Sequence, residues 1–262
     1  MKHFSLILVS LFLLTSCNFT EEITFKEDGS GEFVMRYDLS QVLKTMEEMG
    51  GGNTNDNEKE KVKMDSVVYF KDMLVEKADS IATLPQEEQD QLKALESIVI
   101  KMKMDEEKGV LDFGFGSTFT SIHDLPVALK KIEQAKKFNA KDNPEMLRMN
   151  ESAVAKSAEN MLEYVDFAYN GKTFSRKLLK DHKKSPEQME ALDAEINKMS
   201  DTKSVFEAMS YTLLYHFPNK VKSVSNKNAT ISADKKSVTL KMNFLEMIKS
   251  PEIMTLDVKL ED

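Results

Sequence analysis

Between Ile98 and Phe115 the chain alternates more strictly than anywhere else. Ile98, Ile100, Met102 and Met104 recur at every second position, the turn Glu106-Glu107-Lys108-Gly109 follows, and Leu111, Phe113 and Phe115 resume the same period. A period of two is that of a strand whose side chains point alternately to opposite faces, so these seven positions predict an antiparallel hairpin with one apolar face. The chain holds one cysteine, Cys17, and therefore no internal disulfide. A sheet of this kind must be stabilised by a packed core.

The same period appears elsewhere. Ile23 and Phe25 lead into the turn Glu27-Asp28-Gly29-Ser30-Gly31, after which Phe33, Met35 and Tyr37 alternate again, a second hairpin. Val165, Phe167 and Tyr169, then Asn170-Gly171 and Phe174, predict a third. The last sixty or so residues return to strands with Tyr211, Leu213, Tyr215 and Phe217, then Val238, Leu240 and Met242, then Met254, Leu256, Val258 and Leu260. Helical spacing is expected over Ser40 to Met49, ahead of the glycine- and asparagine-rich loop 50–57. It is expected again where Val67, Phe70, Leu74 and Ile81 share a face, and after Pro85 with Glu87 and Glu88 in the first turn. Leu125, Leu129 and Ile132 predict a helix with Asp124 as its N-cap, 139–150 reads as irregular, and Ala153 to Leu162 as helical. Ser185-Pro186-Glu187-Gln188, with Met189, Leu192, Ile196 and Met199 behind it, carries the full signature of a capped helix start. Together these predict an α+β fold: an antiparallel sheet built from N-terminal, central and C-terminal hairpins, with a helix-rich middle portion at about 120–205 packed on it.

The first residues are of a different kind. Lys2 precedes an apolar run from Phe4 to Leu14 that is too short to cross about 30 Å of hydrocarbon. It ends in Leu14-Thr15-Ser16-Cys17. The layout is that of an export signal, and the tetrapeptide resembles the lipobox of bacterial lipoproteins. That resemblance implies cleavage between Ser16 and Cys17, a signal peptide over 1–16, and acyl chains on Cys17 that hold the body 17–262, a single domain, to a membrane. Two or three chains anchor stably where one does not. The formal net charge of −8 becomes one unit more negative when Lys2 leaves. An acidic surface argues against binding to nucleic-acid backbones, and Lys130-Lys131, Lys136-Lys137, Lys183-Lys184 and Lys235-Lys236 each sit among acids as solvated faces.

Phe25-Lys26-Glu27-Asp28-Gly29-Ser30-Gly31-Glu32 and the later Phe217-Pro218-Asn219-Lys220-Val221-Lys222-Ser223-Val224-Ser225-Asn226 together resemble the LppM-like lipoprotein domain. The chain also looks like lipoproteins of the Bacteroidota. The resemblance implies an α+β body on a lipid anchor at the cell envelope and carries over no catalytic residue. Asn18 is not the aspartate linked to inner-membrane retention, and Thr20-Glu21-Glu22 resembles the acidic tract that sends some lipoproteins to the surface, so the expected location is the outer membrane.

No catalytic motif stands out. His123, His182 and His216 are far apart, without partners at metal spacing. No G-x-S-x-G is present, and Gly114-Phe115-Gly116-Ser117 reads as a strand end rather than a phosphate loop. The 17 methionines, Met102, Met104, Met189 and Met199 among them, read as core filling or the lining of an apolar groove. The expectation is a non-enzymatic envelope module without metal or cofactor, binding a partner protein, a lipid or an envelope polymer. Two alternatives make different demands on the structure. An envelope hydrolase needs two carboxylates, or a carboxylate with His123 or His216, in a polar cleft, and a lipid carrier needs a closed cavity lined by methionine and phenylalanine.

Overall fold

The computed structural model describes residues 18–40, 61–130, 154, 157, 162–179, 183–198 and 203–261. Among the described residues, twelve strands form two sheets. The larger contains β1 (Asn18–Phe25), β2 (Gly31–Asp38), β3 (Lys63–Tyr69), β4 (Ile98–Asp105), β5 (Val110–Phe119), β8 (Ser210–His216), β10 (Thr230–Ile231) and β11 (Ser237–Asn243), in the order β10-β11-β8-β1-β2-β5-β4-β3. The smaller contains β6 (Val165–Tyr169), β7 (Thr173–Leu178), β9 (Val221–Val224) and β12 (Leu256–Leu260), in the order β6-β7-β12-β9.

The expected α+β architecture is present, with the strands divided between two sheets rather than gathered in one. All pairings are antiparallel except that of β1 with β8, which runs parallel from Phe19 beside Tyr211 to Thr24 beside His216. Residues nearly two hundred positions apart thus build the middle of the large sheet, a pairing no local hairpin pattern can announce. The 165–178 hairpin, expected within a helical middle, supplies half of the small sheet and pairs with β12 from the chain's far end.

The core lies where the sheets face one another. Ile23, Phe33, Leu213, Tyr215, Val238 and Leu240 come from the large sheet, and Phe167, Phe174, Leu256 and Val258 from the small one; all are buried. Leu192 and Ile196 of the helix Pro186–Lys198 and Phe244, Leu245, Met247 and Ile248 of the helix Phe244–Lys249 join the same cluster. Phe25 sits at the centre of an aromatic group, 4.1 Å from the Tyr169 ring and 5.6 Å from that of Phe217. At Gly116 on β5 an added Cβ would lie 1.9 Å from the Phe33 carbonyl oxygen, so β2 and β5 keep their close approach only with glycine there.

Several local expectations are corrected. Val67 does not belong to a helix: Lys63–Tyr69 pairs along its whole length with β4, and the helix begins only at Phe70. An edge strand is solvated on both sides, so β3 shows no clean alternation to read. Asp124 is not an N-cap but the third residue of a capping box. Ser121 caps, and the Asp124 carboxylate accepts from the Ser121 N–H at 3.0 Å. Ser185 and Gln188 form the box the sequence announces, at 3.3 and 2.8 Å. Met102, Met104 and Met189 are half-buried rather than core, and among the described residues the deeply buried methionines are Met247 and Met254. The 40–49 helix beyond Ser40, the 50–57 loop, the 139–150 stretch, Met199 and most of 153–162 lie outside the described residues.

Candidate functional site

Three surfaces of the large sheet bear on function, and the alternation of β1 separates two of them. Glu21 points inward with Ile23 and Phe25 and is fully buried. It accepts two hydrogen bonds from Arg176 of β7, Nε to Oε1 at 3.1 Å and Nη2 to Oε2 at 3.0 Å. Two more come from β8, from the Tyr211 hydroxyl at 3.0 Å and the Tyr215 hydroxyl at 2.5 Å. Arg176 also donates to the Met254 carbonyl at 3.5 Å and lies 5.8 Å from the Phe167 ring. Burial opposes the guanidinium's charge, but Glu21 beside it overrides that and holds Arg176 protonated. Burial, then Glu21, pushes both tyrosine hydroxyls well above their ordinary range, so they stay neutral donors. This cluster bolts the two sheets together and has no open side for a ligand.

Glu22 points the other way, onto the outer face, and starts a chain of polar contacts over five strands. His216 Nε2 lies 3.2 Å from Glu22 Oε1, and His216 Nδ1 lies 2.8 Å from the Ser237 hydroxyl on β11. On the other side Arg36 of β2 donates to Glu22 at 3.3 Å and to both carboxylate oxygens of Asp112 at 3.0 Å. Lys101 pairs with Glu32 in the next row. Burial pulls the Glu22 carboxyl up, but the His216 hydrogen bond and the charges of Arg36 and Lys101 outweigh it and hold the group below the usual glutamate range.

The third surface is apolar and lies at the end of the sheet where β1 begins. Phe19 stands across from Tyr37, Tyr37 from Phe113, and Phe113 from Met102, one inward-facing row over four strands. The Phe19 and Tyr37 rings meet edge-on at 5.8 Å, and Phe19 stacks on Phe244 at 5.3 Å. Met35, Phe115 and Ile100 form the next row, and Leu111 with Met104 the outermost. Ile100, Met102, Met104, Leu111, Phe113 and Phe115 are half-buried and stand outside the core cluster. The 98–115 alternation therefore predicts this face correctly, but of its seven apolar positions only Ile98 is fully buried.

Ser16 and Cys17 lie outside the described residues, as does His182. His123 sits exposed in the turn Ile122–Asp124, and His216 belongs to the outer-face network. Thr20, Glu21 and Glu22 are not an accessible acidic tract, because all three are strand residues and Glu21 is sealed in the core. A partly open cavity of about 430 Å³ is lined by Lys183, Lys184, Met189, Lys249, Pro251 and Glu252, and is not the closed methionine- and phenylalanine-lined chamber of a lipid carrier. The turns behind the family resemblance have local roles. Asp28 accepts from the Ser30 N–H and hydroxyl, and Asn226 donates to the Ile253 and Thr255 carbonyls. Among the described residues no three His, Cys, Asp or Glu side chains group as a metal site, and no helix is long and apolar enough to cross a membrane.

Glu21, Arg176, Ser237 and the role of Glu22 are not evident from motifs. The available signal was period: Glu21 alternates with Ile23 and Phe25, and Arg176 with Phe174, so each charge falls on an apolar face. No family model and no curated protein matches the chain. Among solved structures it is similar to the folded domain of the LppM protein of Mycobacterium tuberculosis, at 8% identity and a TM-score of 0.34 over 94% of this chain and 90% of that one, a likeness too slight to carry any functional argument.

Proposed function

We propose that this is a lipid-anchored envelope protein, non-enzymatic in its main role, whose large sheet holds membrane lipid acyl chains against the apolar rows nearest its anchor. The observation that carries the reading is the half-buried surface of Phe113, Met102, Met104, Leu111, Phe115 and Ile100 at the end where β1 starts. Phe19 follows Cys17 by two residues, about 7 Å of extended chain, so lipid on that cysteine would emerge beside these side chains. Methionine and phenylalanine suit the task, because flexible thioethers and flat rings adapt to mobile methylene chains. Each buried methylene contributes about 0.8 kcal/mol, enough for a few contacts to matter.

The test uses the full chain purified from membranes and photolabelled with a phospholipid bearing a diazirine in its acyl chain. Crosslinks on peptides 98–119 that are lost in Phe113→Asp support the reading. Crosslinks confined to the N-terminal peptide, or an N-terminus without acyl groups, overturn it.

A further inference from the structure

Ser237, His216 and Glu22 come from three adjacent strands and are hydrogen-bonded in the order hydroxyl, imidazole, carboxylate. A neutral imidazole donates through one ring nitrogen and accepts through the other. Glu22, held ionised, can only accept, so His216 Nε2 must carry the proton it donates there. In a neutral ring so oriented Nδ1 is bare, and the Ser237 hydroxyl, 2.8 Å away, is placed to donate to it. A serine hydroxyl directed at a bare imidazole nitrogen, with a carboxylate on the other nitrogen, is the arrangement that generates a nucleophile.

Exposure is graded in the sense such a relay needs. The carboxylate side chain is 15% exposed and the imidazole 34%, while Ser237 is half-buried at the start of its strand. The serine's backbone is fixed: its N–H donates to the Ser232 hydroxyl at 2.9 Å and its carbonyl accepts from the Ser232 N–H at 2.9 Å. The intervening turn holds Lys235 at φ 61°, a left-handed conformation unusual for a side-chain-bearing residue. Arg36, bound to both Glu22 and Asp112, keeps the carboxylate from swinging away.

We propose that Ser237 is a nucleophile for acyl transfer from carboxylic esters presented to the outer face, with His216 as general base and Glu22 as a positioning residue. In the first step Ser237 Oγ bonds to the acyl carbon as its proton passes to His216 Nδ1. The acyl C–O bond to the alcohol then breaks, and the leaving oxygen takes that proton. Water, deprotonated by the same nitrogen, attacks the acyl-serine; acid leaves, and the hydroxyl is restored. An ester fits an open sheet face better than an amide, since an alkoxide departs with less assistance than an amine. This assignment rests on the outer face and is independent of the lipid-binding reading.

The test treats the full chain in detergent with an alkyl fluorophosphonate, which forms an Oγ–P bond as fluoride leaves, and locates the adduct by peptide mass spectrometry. The expected result is one adduct, on Ser237, absent in Ser237→Ala. His216→Asn should slow labelling at least about 100-fold, the usual contribution of a general base, with an unchanged thermal melt. Glu22→Gln should slow it too, and Glu22→Asp should recover part of the loss, which a merely structural contact would not produce. Folded wild-type protein without an adduct on Ser237, or His216→Asn labelling at the wild-type rate, overturns the proposal.

Discussion

Glu21 and Glu22 are adjacent in sequence and opposite in physics. Glu21 is sealed between two sheets with its carboxylate saturated by Arg176, Tyr211 and Tyr215, whereas Glu22 lies at a partly solvated surface, shared between Arg36 and His216. One step along a strand reverses the face, and with it the dielectric and the consequence of removing a partner. The inner carboxylate can act only on stability, because nothing reaches it. The outer one contributes little to stability but holds, by a hydrogen bond at 3.2 Å, an imidazole that solvent reaches.

Arg176→Met should give the largest effect, because it strands Glu21 as an uncompensated buried charge at about 3–5 kcal/mol. Urea unfolding would show it, and adding Glu21→Leu to the same chain should recover most of the loss. A single substitution costing under about 1 kcal/mol would erase the contrast between the two faces. Tyr215→Phe removes one donor from the buried carboxylate and should cost about 1–3 kcal/mol by the same measurement. Glu22→Gln should cost at most about 1 kcal/mol, since its partners stay solvated.

A pH series sharpens the comparison at its weak end. Glu22 is held below its ordinary value when folded, so the stability it contributes is present above about pH 4.3, the unfolded glutamate value. It is lost as pH falls through the folded value. Wild type and Glu22→Gln should therefore converge in unfolding free energy on acidification from neutral pH, while a constant gap would assign the difference to shape rather than charge.

The hairpins around Gly29, Gly109 and Gly171 were legible because each combines an alternating run with a turn residue at positive φ. The helix after Ser185 was legible because its cap is written in side chains. What escaped was non-local. Nothing near Asn18 says that its strand will lie beside Ser210, and nothing near Phe174 says that Arg176 will meet a glutamate 155 positions earlier. The relay escaped for the same reason, because Ser237 and Glu22 are ordinary residues until β8 brings His216 between them. The apolar rows were seen as a face but not as a half-covered one, since alternation reports direction and not what lies opposite.

The position of β1 has a mechanical consequence. It is flanked by β2 and β8 and enters the sheet directly at Asn18, so tension transmitted through residue 17 runs along the strand's own axis. The hydrogen bonds on both sides then bear load together, in shear, instead of opening one after another as they would on a peeled edge. A body tethered at that point would keep its fold under drag that would unzip one hung from β3 or β10.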